Sequence, residues 1–257
     1  MNAHPSPYPE APLRTFRAEF HIHTVLSPCA SVEMIPPLII QTAQEKGIDI
    51  LAITDHNATA NAAAVIQAAA GTGITVIPGV ELHTREEIHI LCLFPGLAEA
   101  AAFQEILDKN LPSGENQPDV WGPQYVVDAT GEFICHEQRI LSMATHLTLS
   151  QAAQIVASLN GLFIPAHIRR SMYGLLPTLG LLPQDVVFDA LEIRPGGSLS
   201  ALLHEHPGLS GYPFVCDGDA HLLDDILGLN QLRLREPAFT EICLALHRQN
   251  GREVLPL

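Results

Sequence analysis

The residues of this chain that can do chemistry are imidazoles and carboxylates set at the ends of apolar runs. They are His21-Ile22-His23, Asp55-His56, Glu81, His89, His167 and Asp219-Ala220-His221, with Cys29 close behind the first pair. Neutral imidazole, carboxylate and thiolate are the ligands of borderline divalent metals. Spread over the whole chain at the edges of separate strands, they can converge on one rim and hold more than one cation.

Spacing sharpens this reading. His21 and His23 lie two residues apart, and on a strand such residues face the same side. Both rings can then reach one ion, and Asp219 and His221 repeat the spacing. Asp55 and His56 are neighbours and point to opposite faces if their strand continues. His56 reads as a ligand and Asp55 as a carboxylate that orients one; the alternative for Asp55 is a helix N-cap. Glu81 has two oxygens and is the candidate bridge between cations. His83 is expected to support the site or to lie on the surface. His89 interrupts an apolar run, where a hydrogen-bonded core histidine competes with a ligand. Cys29, in the loop Ser27-Pro28-Cys29, can bring a thiolate to a third metal or remain an unreactive thiol. His167 is followed by Ile168-Arg169-Arg170. Arg169, Arg170 and the strand-end Arg194 are candidates to grip a phosphate, the alternative for the first two being solvated charges.

Elements must bring these groups together. Strand-like runs cover 16–23, 48–54, 74–82, 88–94, 162–166, 190–194 and 214–216. Helical patterns cover 36–46, 58–70, 97–111 and 237–249, and Thr148-x-x-Gln151 fits a capping box opening a helix to Asn160. Residues 1–15 read as a flexible tail and 16–257 as one α/β domain. Within it, 112–147 break the rhythm as an insert, with a hairpin of 125–127 and 132–135. Alternating strands and helices predict a parallel α/β architecture. A closed barrel explains the ligands best, because side chains gather on the rim at the strands' C-terminal ends. An open doubly wound sheet is the alternative, but no glycine-rich nucleotide motif supports it.

The chain has 257 residues, 47% of them hydrophobic, with 13 Lys and Arg against 28 Asp and Glu for a formal charge of −15. Such an acidic surface repels phosphate polymers and argues against a broad nucleic-acid-binding face. The five cysteines form no CxxC pair and read as reduced thiols. No apolar stretch reaches membrane-spanning length, and the expected location is the cytoplasm.

In order along the chain, HIHT at 21–24, TDHN at 54–57, GVE at 79–81, His89 in EIHIL, PAH at 165–167 and DAH at 219–221 resemble the PHP (polymerase and histidinol phosphatase) superfamily. Each motif is weak alone; the ordered set is specific. The resemblance implies a distorted, TIM-like (β/α)7 barrel with two or three divalent cations, zinc or manganese foremost and iron or magnesium as alternatives. It implies His21, His23, Glu81 and Asp219 for the first ion and Glu81, His89 and His167 for the second. His56 and His221 would hold the third, with a residue from the loop after HIH. Members usually place Asp or His there; this chain offers Cys29, and a thiolate favours zinc.

The implied activity is hydrolysis of a phosphate ester. A metal-bridging hydroxide attacks phosphorus in a small phosphorylated metabolite or nucleotide, with Glu81, Asp219 and His221 as the catalytic set and Arg169, Arg170 and Arg194 on the substrate. The alternatives are an exonuclease on short oligonucleotides and a non-catalytic, metal-dependent binding module. The 112–147 insert is expected to shape substrate access. No membrane partner is expected.

Overall fold

A computed structural model describes residues 11–256. The chain runs β1 (Arg14–Ile22), α1 (Pro36–Glu45), β2 (Ile50–Ile53), α2 (Ala62–Ala68), β3 (Thr75–His83), β4 (His89–Leu93), α3 (Leu97–Asn110), α4 (Pro118–Trp121), β5 (Tyr125–Val127) and β6 (Phe133–His136). It continues with α5 (Leu149–Ser158), β7 (Leu162–Pro165), α6 (Leu175–Leu179), β8 (Leu191–Ile193), α7 (Leu199–Glu205), β9 (Phe214–Cys216), β10 (Asn230–Leu234), α8 (Phe239–Leu246) and β11 (Glu253–Val254).

Continuous apolar runs make strands that are buried on both faces, and β2, β4 and β7 are buried at every position. They belong to a curled seven-stranded sheet in the order β11-β10-β1-β2-β3-β4-β7. β8 and β9 pair in parallel, and β5 with β6 as an antiparallel hairpin. Single backbone bonds extend the curl. Asp189 donates to Phe163 at 3.1 Å and Ile168 to Glu192 at 3.0 Å, joining β7 to β8. Ala220 donates to His21 at 2.9 Å and His23 to Ala220 at 3.0 Å, joining the end of β9 to β1.

Two of the four core clusters among the described residues show the strand alternation most directly. One cluster draws in Phe20, Ile50, Ile77, Leu91, Ile164 and Val215, one from each of six strands. The other packs Val80, Leu82, Ile90 and Cys92 against Phe103, Leu107 and Val156 of α3 and α5.

Three expectations change. The sheet is mixed rather than parallel: β1-β2-β3 are parallel, whereas β4 is antiparallel to both β3 and β7. Only Thr84 to Ile88 separate β3 from β4, too short a link for a parallel crossover. The tail ends sooner than residue 15, because Arg14 and Thr15 pair with Leu234 and Arg233. Residues 1–10 lie outside the described residues. The helix expected over 58–70 is confined to Ala62–Ala68, since Asn57 and Thr59 are committed elsewhere: the Asn57 side chain donates to Leu141 and Met143, and the Thr59 N–H to Gln104. The capping box of Thr148 and Gln151 forms as expected. No helix among the described residues is long and apolar enough to cross a membrane.

Beyond the curl, β10, α8 and β11 are tied by Glu241 and Arg252. Glu241 accepts from Arg252 at 2.6 and 3.0 Å and from the Arg235 N–H at 2.7 Å. Both side chains are buried. Glu241→Ala is expected to lower the unfolding free energy by about 1–3 kcal/mol, because three hydrogen bonds to one carboxylate are lost. The Arg252 bond holds the Glu241 carboxyl below its usual 4.5. The folded state therefore favours the ionised acid; the pair's contribution is present above that pH and lost as pH falls below it. The difference in urea midpoint between wild type and Glu241→Gln should shrink on acidification. A difference that stays constant would show that the ion pair does not carry it.

Candidate metal centre

Glu81 sits near the end of β3, fully buried, inside a ring of histidines. Its Oε1 lies 2.8 Å from His89 Nδ1, 3.1 Å from His167 Nε2 and 3.2 Å from His21 Nε2. Its Oε2 lies 2.9 Å from His56 Nδ1 and 3.3 Å from His23 Nε2. Asp219 Oδ1 closes the ring at 3.3 Å from His21 Nε2, 3.6 Å from His23 Nε2 and 3.5 Å from His221 Nδ1. The Cys29 sulfur is 3.1 Å from His221 Nε2. All the expected imidazole and acid ligands, and Cys29, thus meet in one place.

The mixed sheet explains how. His21 and His23 lie at the end of β1, His56 just beyond β2, His167 beyond β7 and Asp219 beyond β9. His89 opens β4 instead. Because β4 runs backwards beside β3, its first residue pairs with His83 at the same rim. Three strand-end residues have left-handed backbones: Asn57 (φ 48°), His167 (φ 30°) and Asp219 (φ 52°). Each such conformation costs roughly 1–3 kcal/mol and persists where the surroundings enforce it. Ahead of Asp219 only glycine fits, since a Cβ on Gly218 would lie 1.9 Å from the Asp225 carbonyl oxygen.

Outer contacts fix the ring tautomers. His21 Nδ1 faces Glu192 Oε2 at 2.9 Å and donates to it. Ser27 Oγ donates to Asp55 at 2.7 Å, so it accepts from His23 Nδ1 at 2.9 Å. His221 Nδ1 donates to the Asp219 carbonyl at 2.8 Å. Each of these rings therefore turns a bare Nε2 lone pair inward, as metal ligands do.

Asp55 is buried and binds the Thr24 N–H and hydroxyl, each at 2.7 Å, and Ser27. It orients the His23 loop and does not cap a helix. His83 is buried, not on the surface; it bonds Glu87 at 2.9 Å and packs edge-on against His89. Arg170 and Arg194 donate to Asp219 Oδ2 at 3.1 and 2.9 Å. Arg169 turns away, to Glu205 at 3.3 Å, and only lines the same 480 Å³ cleft.

The sequence reading missed Glu192 and Tyr173. Glu192 left a signal, an acid inside the fully buried strand Leu191-Glu192-Ile193. Tyr173 left none; its ring lies flat on His89 at 4.4 Å.

The residues fit divalent cations. The His21 and His23 Nε2 atoms face each other at 3.1 Å, an approach that takes either a proton or a cation between them. Glu81 Oε2 and Asp219 Oδ1 are buried and make no hydrogen bond of proper geometry despite the imidazole nitrogens beside them. Short approaches without hydrogen-bond directions are what ligands around an ion make. Three overlapping groups have ligand atoms within 4.8 Å of one another: His21, His23, Glu81 and Asp219; His56, Glu81 and His89; His23, His56 and His221.

Electrostatics agrees. Burial would raise the Glu81 pKa, but His89, His21 and His56 hold it well below the usual range. Burial also opposes ionisation of Asp219, and His21 and His23 overcome it. Burial pushes His89 and His221 down to about 3. Burial works against charge on His56, yet Glu81 lifts it to about 9. His21 rises against burial through Glu192, Glu81 and Asp219, and His23 through the nearby carboxylates of Asp219 and Glu81. The pocket demands positive charge, and a cation can take the place of protons there.

The PHP domain family model matches residues 19–164, more than half of the chain. The chain belongs to the PHP domain family. Among curated proteins it is 26% identical to the uncharacterized protein YqxK of Bacillus subtilis, over 95% of this chain and 65% of that one. It is 24% identical to a phosphoribosyl 1,2-cyclic phosphate 1,2-diphosphodiesterase of Eggerthella lenta, over 77% of each. Among solved structures, PfuEndoQ, a lesion-specific endonuclease from Pyrococcus furiosus, shares the fold with TM-score 0.71 at 19% identity, over 94% of this chain and 58% of that one. PsfC of Pseudomonas syringae matches with TM-score 0.56 at 13% identity, over 95% and 92%. The chain thus spans about two thirds or less of the length of YqxK and PfuEndoQ.

Glu192→Ala should weaken cation binding about 10- to 100-fold, because His21 loses the partner that fixes its tautomer. A competition titration with a chromophoric chelator measures this. Affinity equal to wild type would remove Glu192 from the centre.

Proposed function

We propose that the chain hydrolyses phosphate esters of small phosphorylated metabolites or nucleotides, using two or three divalent cations. The observation that carries this is Glu81, whose two oxygens between them reach five imidazoles from four separate segments of the chain. His21, His23, Glu81 and Asp219 would hold one ion, and Glu81, His89 and His167 a second. His56, His221 and Cys29 would hold a third, and the Cys29 thiolate favours zinc over manganese there. Bound cations supply Lewis acidity and an activated water at neutral pH.

The chain's own residues do the rest. Arg170 and Arg194 are about half exposed, and each spends only part of its donor fork on Asp219. The remaining N–H groups can take phosphoryl oxygens. Asp219 holds both forks in place beforehand. Arg169 acts farther out, on the wall of the cleft. Burial keeps His221 neutral, which suits a ligand better than a proton donor. The diphosphodiesterase relative supports phosphoester chemistry, and the charge of −15 favours small substrates over long polymers.

The same reading includes a distorted (β/α)7 barrel of β1, β2, β3, β4, β7, β8 and β9, supported by their common interior and the bonds around β8 and β9. Residues 112–147 are its insert. The free cysteines fit a reducing cytoplasm.

Metal-reconstituted protein should hydrolyse members of a panel of phosphomonoesters and phosphodiesters. Glu81→Ala and Asp219→Ala should each lose more than about 100-fold in kcat/KM. Arg194→Ala should act mainly on KM. Equal activity in wild type and both acid variants would sink the assignment.

A further inference from the structure

Next to the centre is a second cavity of about 410 Å³, within the usual size range of small-molecule sites. His56, His89 and His221 face it from one side, and Trp121 and Tyr173 line it as well. Trp121 is the chain's one tryptophan and is 41% exposed. Among the described residues it stacks on no other ring.

Its place is built in. Trp121 ends α4, and the next residue, Gly122, packs against the loop that carries Cys29. A Cβ on Gly122 would lie 2.9 Å from the Pro28 carbonyl oxygen, and φ there is +89°. Tyr173 is equally fixed: its carbonyl accepts from the His89 N–H at 3.0 Å, at a left-handed φ of 65°. The same cavity is lined by Ser142, whose buried hydroxyl has no hydrogen-bond partner. A buried, unpaired hydroxyl is costly unless a ligand completes it.

We propose that this cavity takes the base of a nucleoside phosphate, with Trp121 and Tyr173 as specificity-determining walls and Ser142 bonding the edge of the ring. Flat rings stack on aromatic side chains whatever their sequence context. Arg170 lines both this cavity and the arginine-lined cleft, so a phosphate at the centre would have its base on the aromatic side. The proposal rests on the phosphoesterase reading for the hydrolysis, but not for the binding.

The test uses the full chain loaded with manganese. Because Trp121 is the one tryptophan, its fluorescence reports on the cavity directly. Adenosine 5′-monophosphate should quench it saturably and bind about tenfold or more tighter than ribose 5-phosphate, the effect expected of one stacked base. By calorimetry, Trp121→Ala should collapse that ratio, and Tyr173→Ala should reduce it. Ser142→Ala should weaken the nucleotide and leave ribose 5-phosphate unchanged. Equal affinity for the two ligands, an unchanged ratio in Trp121→Ala, or histidinol phosphate binding as tightly as the nucleotide would overturn the proposal. Nucleotide binding without hydrolysis would support the cavity and count against the phosphoesterase reading. Hydrolysis with no preference for a base would do the reverse.

Discussion

The structure turns on one buried carboxylate that cannot satisfy itself. Glu81 is fully buried, and one of its oxygens lacks a proper hydrogen bond. An acid in that position would ordinarily take up a proton. The surrounding imidazoles prevent it, and they come from β1, the turn after β2, the start of β4 and the turn after β7. No one of these elements can form the ring alone. Rim geometry, left-handed backbones and the reversed β4 are the means by which distant residues reach a common carboxylate.

A second layer of carboxyls lies beneath. Glu19, Asp217 and Glu192 are all fully buried. Glu19 accepts from the N–H groups of Gly218, Leu227 and Gly228 at 2.6, 3.1 and 2.8 Å, yet burial still lifts its pKa to about 7. Burial, with Glu19 and Glu192 nearby, raises Asp217 well above the usual range. Burial thus favours the neutral forms of Glu19 and Asp217, and this floor works through its hydrogen bonds rather than through charge. It also ties β1 to the Asp217-Gly218-Asp219 turn, since Asp217 accepts from the Phe20 N–H at 2.7 Å. These buried acids hold in place the turn from which Asp219 extends.

Much of the centre was legible because its chemistry is carried by residue type and local spacing. His21 and His23 share a strand face, and the pattern of two survives any tertiary arrangement. Glu81 and His167 stand at the ends of apolar runs. What stayed hidden depends on packing between distant segments. The direction of β4 follows from a short link, but its consequence for His89 needs the neighbouring strand. Asp55 stands beside His56 in sequence, whereas its partners Thr24 and Ser27 lie across a loop, behind His23. Arg169 and Arg170 are adjacent in sequence, yet one faces Asp219 and the other Glu205. Tyr173 is one tyrosine in a loop until it lies on His89.

Asp219 shows why ligand and substrate groups cannot be treated separately. Its Oδ1 faces the imidazoles while its Oδ2 is held by two guanidiniums. One carboxylate thus neutralises charge on both sides. The arginines draw electron density from the oxygen that faces the imidazoles, so a cation held there would be the stronger Lewis acid. In return, Asp219 pins two flexible side chains whose ordering would otherwise oppose substrate binding. Gly218, which admits no side chain, fixes the backbone from which this two-faced carboxylate extends. A tight glycine turn therefore sets both the oxygen turned to the imidazole ring and the oxygen that gathers the two guanidiniums.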